Sequence, residues 1–134
     1  IHCRRNALDT CVSIYTNYFA QGYKYAYNQE ELAKYYLDYE NLMGHWCGLF
    51  GNEIFEVEYE NLVANQESIS KQLIEYIGLE WNSACIDFHK NTRAVKTASN
   101  MQVRKPMYLN SVNRWKLYEE KIQPLIGILG YREN

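Results

Sequence analysis

The sequence predicts an α/β fold, a layer of parallel strands joined by helical crossovers in a chain where helices dominate. Three observations lead there. Ile1 and Cys3 alternate with polar residues, as in the end of a strand, and run straight into a helix start at Asn6. A second strand is expected over 53–59, where Ile54, Phe55 and Val57 are apolar. Between and after them lie stretches of helical period, so the order is strand, helix, helix, strand, helix, helix. Two strands make a poor sheet. The sequence also opens inside a strand with no initiator methionine. The chain is therefore expected to be the truncated, carboxyl-terminal part of one domain, with further strands upstream of Ile1.

The elements follow in order. Asn6 is the expected N-cap of a helix over 7–19, with Asp9 three residues on, where a carboxylate can reach back to free backbone amides. Leu8, Cys11, Val12, Tyr15, Tyr18 and Phe19 recur at helical spacing. A loop over 21–27 carries Tyr23, Tyr25 and Tyr27, which either line a groove or pack the loop onto the domain. Asn28 caps a helix over 28–49, with Glu30 and Glu31 in its first turn and an apolar stripe of Leu32, Tyr35, Tyr36, Tyr39, Leu42, Met43 and Trp46. A turn over 60–65 leads to an amphipathic helix over 66–77, stopped by Gly78. A short helix over 83–89 follows. The chain becomes helical again from about Ser111, and a last helix over 124–129 starts at Pro124 and closes at Gly130.

At 134 residues, with 47% apolar residues, two prolines and seven glycines, the chain is a globular domain with a real core. No apolar run approaches the ~20 residues of a membrane span, so no membrane partner is expected. Cys3, Cys11, Cys47 and Cys85 form no Cys-x-x-Cys pair and sit in apolar stretches. They read as buried, reduced thiols of a cytoplasmic protein. His45 and Cys47 are two apart on one helix and face apart, and His2 and His89 have no ligand-like neighbours in sequence. No metal site is expected.

The net charge of −2 conceals an asymmetry. Residues 90–116 hold Lys90, Arg93, Lys96, Arg104, Lys105, Arg114 and Lys116 and no acid. The remainder keeps seven cations against all sixteen acids, an excess of nine negative charges. Apolar Val95, Met101, Val103, Met107 and Trp115 are interleaved. The segment reads as anion-binding rather than as a solvated loop. A second anion site is suggested at the first strand–helix junction. Arg5 stands before the helix N-terminus, and Ser13 lies two turns along nearly the same face as Asn6. Together they suit an anion with several oxygens, such as a phosphate. The competing reading is an Arg5 ion pair and a solvated Ser13. Tyr59, at the expected carboxyl end of the second strand, is placed either to stack on a flat ring or to fill a corner.

These segments, in this order, resemble the carboxyl-terminal half of a sulfotransferase of the bacterial repeat-fused type, related to tyrosylprotein sulfotransferases. Four segments carry the resemblance: Cys-Arg-Arg-Asn-Ala-Leu-Asp-Thr-Cys-Val-Ser from Cys3 to Ser13, Glu58-Tyr59-Glu60-Asn61-Leu62, Arg93-Ala94-Val95-Lys96-Thr97-Ala98-Ser99, and Val103-Arg104-Lys105-Pro106 with Ser111, Arg114 and Trp115. The resemblance implies a P-loop-like α/β fold and the cofactor 3′-phosphoadenosine 5′-phosphosulfate. It implies that Arg5 and Ser13 bind the 3′-phosphate and that Tyr59 packs on the adenine. Thr97 and Ser99 would lie in a loop wrapping the nucleotide, and Arg104 and Lys105 would neutralise its phosphates. The acceptor, a protein tyrosine, carbohydrate or small molecule, stays open, with Tyr23, Tyr25, Tyr27 and His45 as candidates for bordering it. The family's phosphosulfate loop and general base would lie upstream, so this part alone is expected to be inactive. The alternative is a polyanion- or nucleic-acid-binding module built on residues 90–116, which explains the charge asymmetry but not the placement of Arg5, Ser13 and Tyr59.

Overall fold

The computed structural model describes residues 1–19, 22–95 and 101–131. The chain divides into two compact units. One comprises Ile1–Glu56 with Asn110–Asn134, and the other Val57–Leu109.

The first unit begins with strand β1 (His2–Arg4) and helix α1 (Ala7–Tyr15). Asn6 caps α1 as expected, its Oδ1 accepting the Asp9 N–H at 3.0 Å. The helix stops four residues before the apolar periodicity does. There the Thr16 hydroxyl donates to the Val12 carbonyl at 2.8 Å and the Asn17 amide to the Ser13 carbonyl at 2.6 Å. The Ser13 carbonyl, which the Asn17 N–H would use in a further turn, is thus taken by a side chain, and that N–H bonds the Ile14 carbonyl instead. A 3₁₀ turn (Lys24–Tyr27) leads to the 22-residue helix α2 (Gln29–Phe50). Asn28 Oδ1 accepts from the N–H groups of Glu30 and Glu31 at 2.9 and 3.0 Å, which fixes its start. Gly51, at φ 33°, ends it and opens a 3₁₀ turn (Gly51–Glu53).

The expected second strand is cut to three residues, β2 (Glu56–Glu58). The turn takes Glu53 from its start, Ile54 and Phe55 lie between that turn and the strand, and a helix takes Tyr59 from its end. β1 and β2 form a two-stranded parallel sheet, with the His2 N–H donating to the Phe55 carbonyl at 2.9 Å. The broader sheet of the expected fold is not present among the described residues, which are mostly helical.

The chain returns to the first unit through a 3₁₀ run (Arg114–Lys121) and helix α5 (Gln123–Leu129). The core forms here. Ala7, Leu8, Cys11 and Val12 of α1 pack with Leu32 and Ala33 of α2, with Trp115 and Ile122, and with Leu125, Ile126 and Leu129 of α5. Leu8, Cys11 and Val12 of the expected α1 stripe are buried, whereas Tyr15 and Tyr18, at 37% and 84%, are exposed, and the α2 stripe departs further. Only its first two turns are buried, while Leu42 is 54% and Trp46 39% exposed. Of the four thiols expected to be buried only Cys11 is; Cys47 and Cys85 are half-buried and Cys3 is exposed.

Asp9 corrects a second expectation. Its carboxylate, 1% exposed, does not reach back within its own helix. Oδ2 accepts the Asn113 N–H at 2.7 Å and Oδ1 the Trp115 N–H at 2.8 Å. Asn113 has a left-handed backbone at φ 58°, which turns these amides toward α1. The charge is tolerated in the core because both oxygens receive backbone donors.

In the second unit, helices α3 (Tyr59–Ala64) and α4 (Gln66–Tyr76) pack together. The expected turn over 60–65 is therefore helical. α4 ends with Gly78 at φ 75°, the Gly78 N–H donating to the Glu75 carbonyl and the Leu79 N–H to the Ile74 carbonyl. The helix expected over 83–89 resolves into two 3₁₀ turns, Ser83–Cys85 and Phe88–Lys90.

Asp9→Ala strips two buried backbone amides of their acceptor, so it should cost about 3 kcal/mol of stability, read as a lowered urea midpoint. Burial, with Glu40 adding to it, pushes the Cys11 thiol up to about 12. At pH 8 roughly one Cys11 in ten thousand is then ionised. Alkylation followed by mass spectrometry should label exposed Cys3 and leave Cys11 unmodified until denaturant is added.

Candidate anion-binding site

Arg5 is the residue between the end of β1 and the cap of α1, so its position is set from both sides. Its carbonyl accepts from the Tyr36 hydroxyl on α2 at 3.2 Å. Its guanidinium Nη2 donates to the Ser111 carbonyl at 2.6 Å. A guanidinium carries five N–H donors in a rigid fork, so the carbonyl bond orients the group as a whole. Ser111 lies two residues before Asn113, so the Asp9 bonds that hold residues 113–115 also steady the carbonyl that aims Arg5. The Arg5 guanidinium is thus tied to a backbone carbonyl of the same unit.

Ser13 lies on α1, half-buried, and its carbonyl is taken by Asn17. Its hydroxyl makes no hydrogen bond among the described residues. Tyr59 does not end a strand. It is the first residue of α3, directly after β2, and half-buried. Arg104 is half-buried, with its guanidinium Nη2 donating to the Arg93 carbonyl, which closes the basic segment on itself within the second unit. Lys105 is exposed, and its N–H bonds the Gln102 carbonyl at 3.0 Å in a tight turn. Thr97 and Ser99 lie outside the described residues. The structure thus joins Arg5 to Ser111 in the first unit, and Arg104 to Arg93 in the second.

Some cations of the basic segment are engaged locally. Lys90 pairs with Asp87 at 2.8 Å, and Lys116 sits 5.7 Å from the Trp115 ring centroid. Most of the tyrosines weighed as an acceptor border are engaged in packing. Tyr25 stacks on Tyr35 with centroids 4.0 Å apart, and the Tyr27 hydroxyl accepts the Phe19 N–H and donates to the Phe19 carbonyl, both at 2.8 Å. Tyr23 tilts against Phe19. Among the described residues no helix is long and apolar enough to cross a membrane.

Sequence reasoning missed two features. The anchoring of Arg5 by a backbone carbonyl has no signal in residue identity. The convergence of His2 and Glu56, hydrogen-bonded at 3.0 Å, with Cys47 depends on how α2 lies over the two strands.

The profile of the sulfotransferase family matches residues 1–83. An uncharacterized protein of Aquifex aeolicus (strain VF5) is 36% identical over 132 residues, covering 96% of this chain. The chain spans 17% of the length of that relative. No solved structure matches the chain.

The capping and the anion roles separate by mutation. Asn6→Ala should cost about 1 kcal/mol by removing the α1 cap. Ser13→Ala should stay within about 0.5 kcal/mol of the parent, measured by thermal unfolding.

Proposed function

Because the chain belongs to the sulfotransferase family, we propose that it supplies the part of a sulfotransferase that holds the 3′-phosphate and adenine of 3′-phosphoadenosine 5′-phosphosulfate. The acceptor would be a hydroxyl or amine. The observation that carries this reading is Arg5. It stands at the mouth of a capped nine-residue helix, with its backbone held by Tyr36 and its guanidinium oriented by Ser111. A fixed guanidinium beside a helix N-terminus favours an anion with several oxygens over a single carboxylate.

In this proposal Arg5 and the Ser13 hydroxyl bind the 3′-phosphate, and Tyr59 packs on the adenine. Thr97 and Ser99 belong to the loop that wraps the nucleotide, and Arg104 and Lys105 offset the negative charge of its phosphates. These residues bind and orient the donor. Transfer itself needs an in-line acceptor, a general base, and charge stabilisation at the leaving phosphate. No Gly-rich phosphate loop occurs in the sequence. The chain is thus assigned the nucleotide side of the reaction, and transfer by this chain alone is not expected.

Calorimetric titration with adenosine 3′,5′-bisphosphate, against adenosine 5′-monophosphate, tests the assignment. The bisphosphate should bind preferentially, and Arg5→Ala should weaken it by about 10- to 100-fold while leaving the monophosphate nearly unchanged. Ser13→Ala should act in the same direction, more weakly. Equal affinity for the two nucleotides, in a chain folded by circular dichroism, would overturn the reading. A steep salt dependence would then favour a general polyanion site on the basic segment.

A further inference from the structure

At the end of β1 remote from Arg5, three side chains of different chemistry converge within the first unit. His2 comes from β1, Cys47 from the last turn of α2, and Glu56 from the start of β2. Their ligand atoms all lie within 4.8 Å of one another. His2 Nδ1 is 3.0 Å from Glu56 Oε1, and Cys47 Sγ is 3.8 Å from the same oxygen. We propose that His2, Cys47 and Glu56 form a zinc-class metal site that clips the carboxyl-terminal half of α2 to the two-stranded sheet.

The geometry fits the ion. Tetrahedral zinc with ordinary bonds to sulfur, nitrogen and oxygen has ligand–ligand edges of about 3.4–3.6 Å. The two separations to Glu56 Oε1, 3.0 and 3.8 Å, bracket that value, and the His2–Cys47 edge, within 4.8 Å, closes by at most about 1.3 Å for all three atoms to meet one ion. The donor set is selective. A thiolate, an imidazole and a carboxylate suit zinc and cobalt, whereas calcium and magnesium take oxygen ligands. The thiolate and carboxylate together carry two negative charges, which match a divalent cation. Cys47 releases its proton on binding.

The surroundings fit as well. His2 Nε2 is hydrogen-bonded to the Tyr39 hydroxyl. When Nε2 carries the proton and donates it to that oxygen, the Nδ1 lone pair is left for the metal, which is the usual arrangement around a ligating histidine. Arg4 Nη1 lies 3.3 Å from Glu56 Oε2, so it orients the carboxylate through the oxygen the ion does not use. His2 is nearly enclosed, with its side chain 11% exposed, while Glu56 at 38% leaves a route for the ion and a fourth position for water. The clip has a structural purpose. Leu42, Trp46 and Phe50 leave this half of α2 with little apolar packing of its own, and a metal would tie it down by Cys47 instead.

The site is independent of the nucleotide reading and is tested without it. Cobalt(II) should give a sulfur-to-cobalt charge-transfer absorption saturating at one ion per chain, and zinc should bleach it. Cys47→Ser should abolish the band, and Glu56→Gln should weaken binding about tenfold or more, with circular dichroism unchanged. Saturating zinc should raise the thermal midpoint of the parent and not that of Cys47→Ser. Absence of the band would overturn the proposal. So would a band of full strength in Cys47→Ser, which would assign it to another thiol such as exposed Cys3, on the opposite face of β1.

Discussion

A buried carboxylate holds the first unit together. Asp9 sits in the first turn of α1 and spends both oxygens on backbone amides more than a hundred residues away. A carboxylate in an apolar core is costly when its oxygens go unmatched. Here the matching donors exist only because Asn113 adopts a left-handed backbone and presents two amides in the right direction. Once they meet, Trp115 is seated in the core, and the chain continues into α5, which fills the groove beside α1 and α2. Helix packing and the carboxylate are thus one interaction seen from two sides.

The same contact reaches the candidate site. Residues 111 to 115 are a single short stretch, so fixing Asn113 and Trp115 also fixes the Ser111 carbonyl against the Arg5 guanidinium. The fold thereby commits a long, flexible cation to one orientation, and less entropy remains to be lost when an anion binds. The sulfotransferase family match over residues 1–83 includes Arg5, Ser13 and Tyr59, and stops before the basic segment.

The two ends of β1 differ in character. Near Arg5 the chain is built on caps and backbone acceptors. Near His2 it is built on side chains, with Tyr39, His2, Glu56 and Arg4 in one hydrogen-bonded row. The His2 hydrogen bond, followed by the charge of Arg4, holds the Glu56 carboxyl below the usual carboxylate range despite partial burial. The aromatic loop between α1 and α2 belongs to neither end. Its tyrosines stack and bond locally.

Local chemistry was legible in the sequence and long-range pairing was not. Asn6 and Asn28 as caps, Gly78 and Gly130 as stops, and the buried Leu8, Cys11 and Val12 of α1 all follow from residue type and spacing within a turn or two, where the partners are sequence neighbours. Arg5 at a strand–helix junction was legible for the same reason. The limits of β2, the helical state of Tyr59 and the exposure of the later half of α2 were decided by what packs where, and periodicity alone is blind to that. The sequence suggested that Asp9 serves its own helix. Only the tertiary structure decided that it serves residues 113–115, that Ser111 aims Arg5, and that His2, Cys47 and Glu56 meet, because each pairing joins residues brought close by the packing of whole elements.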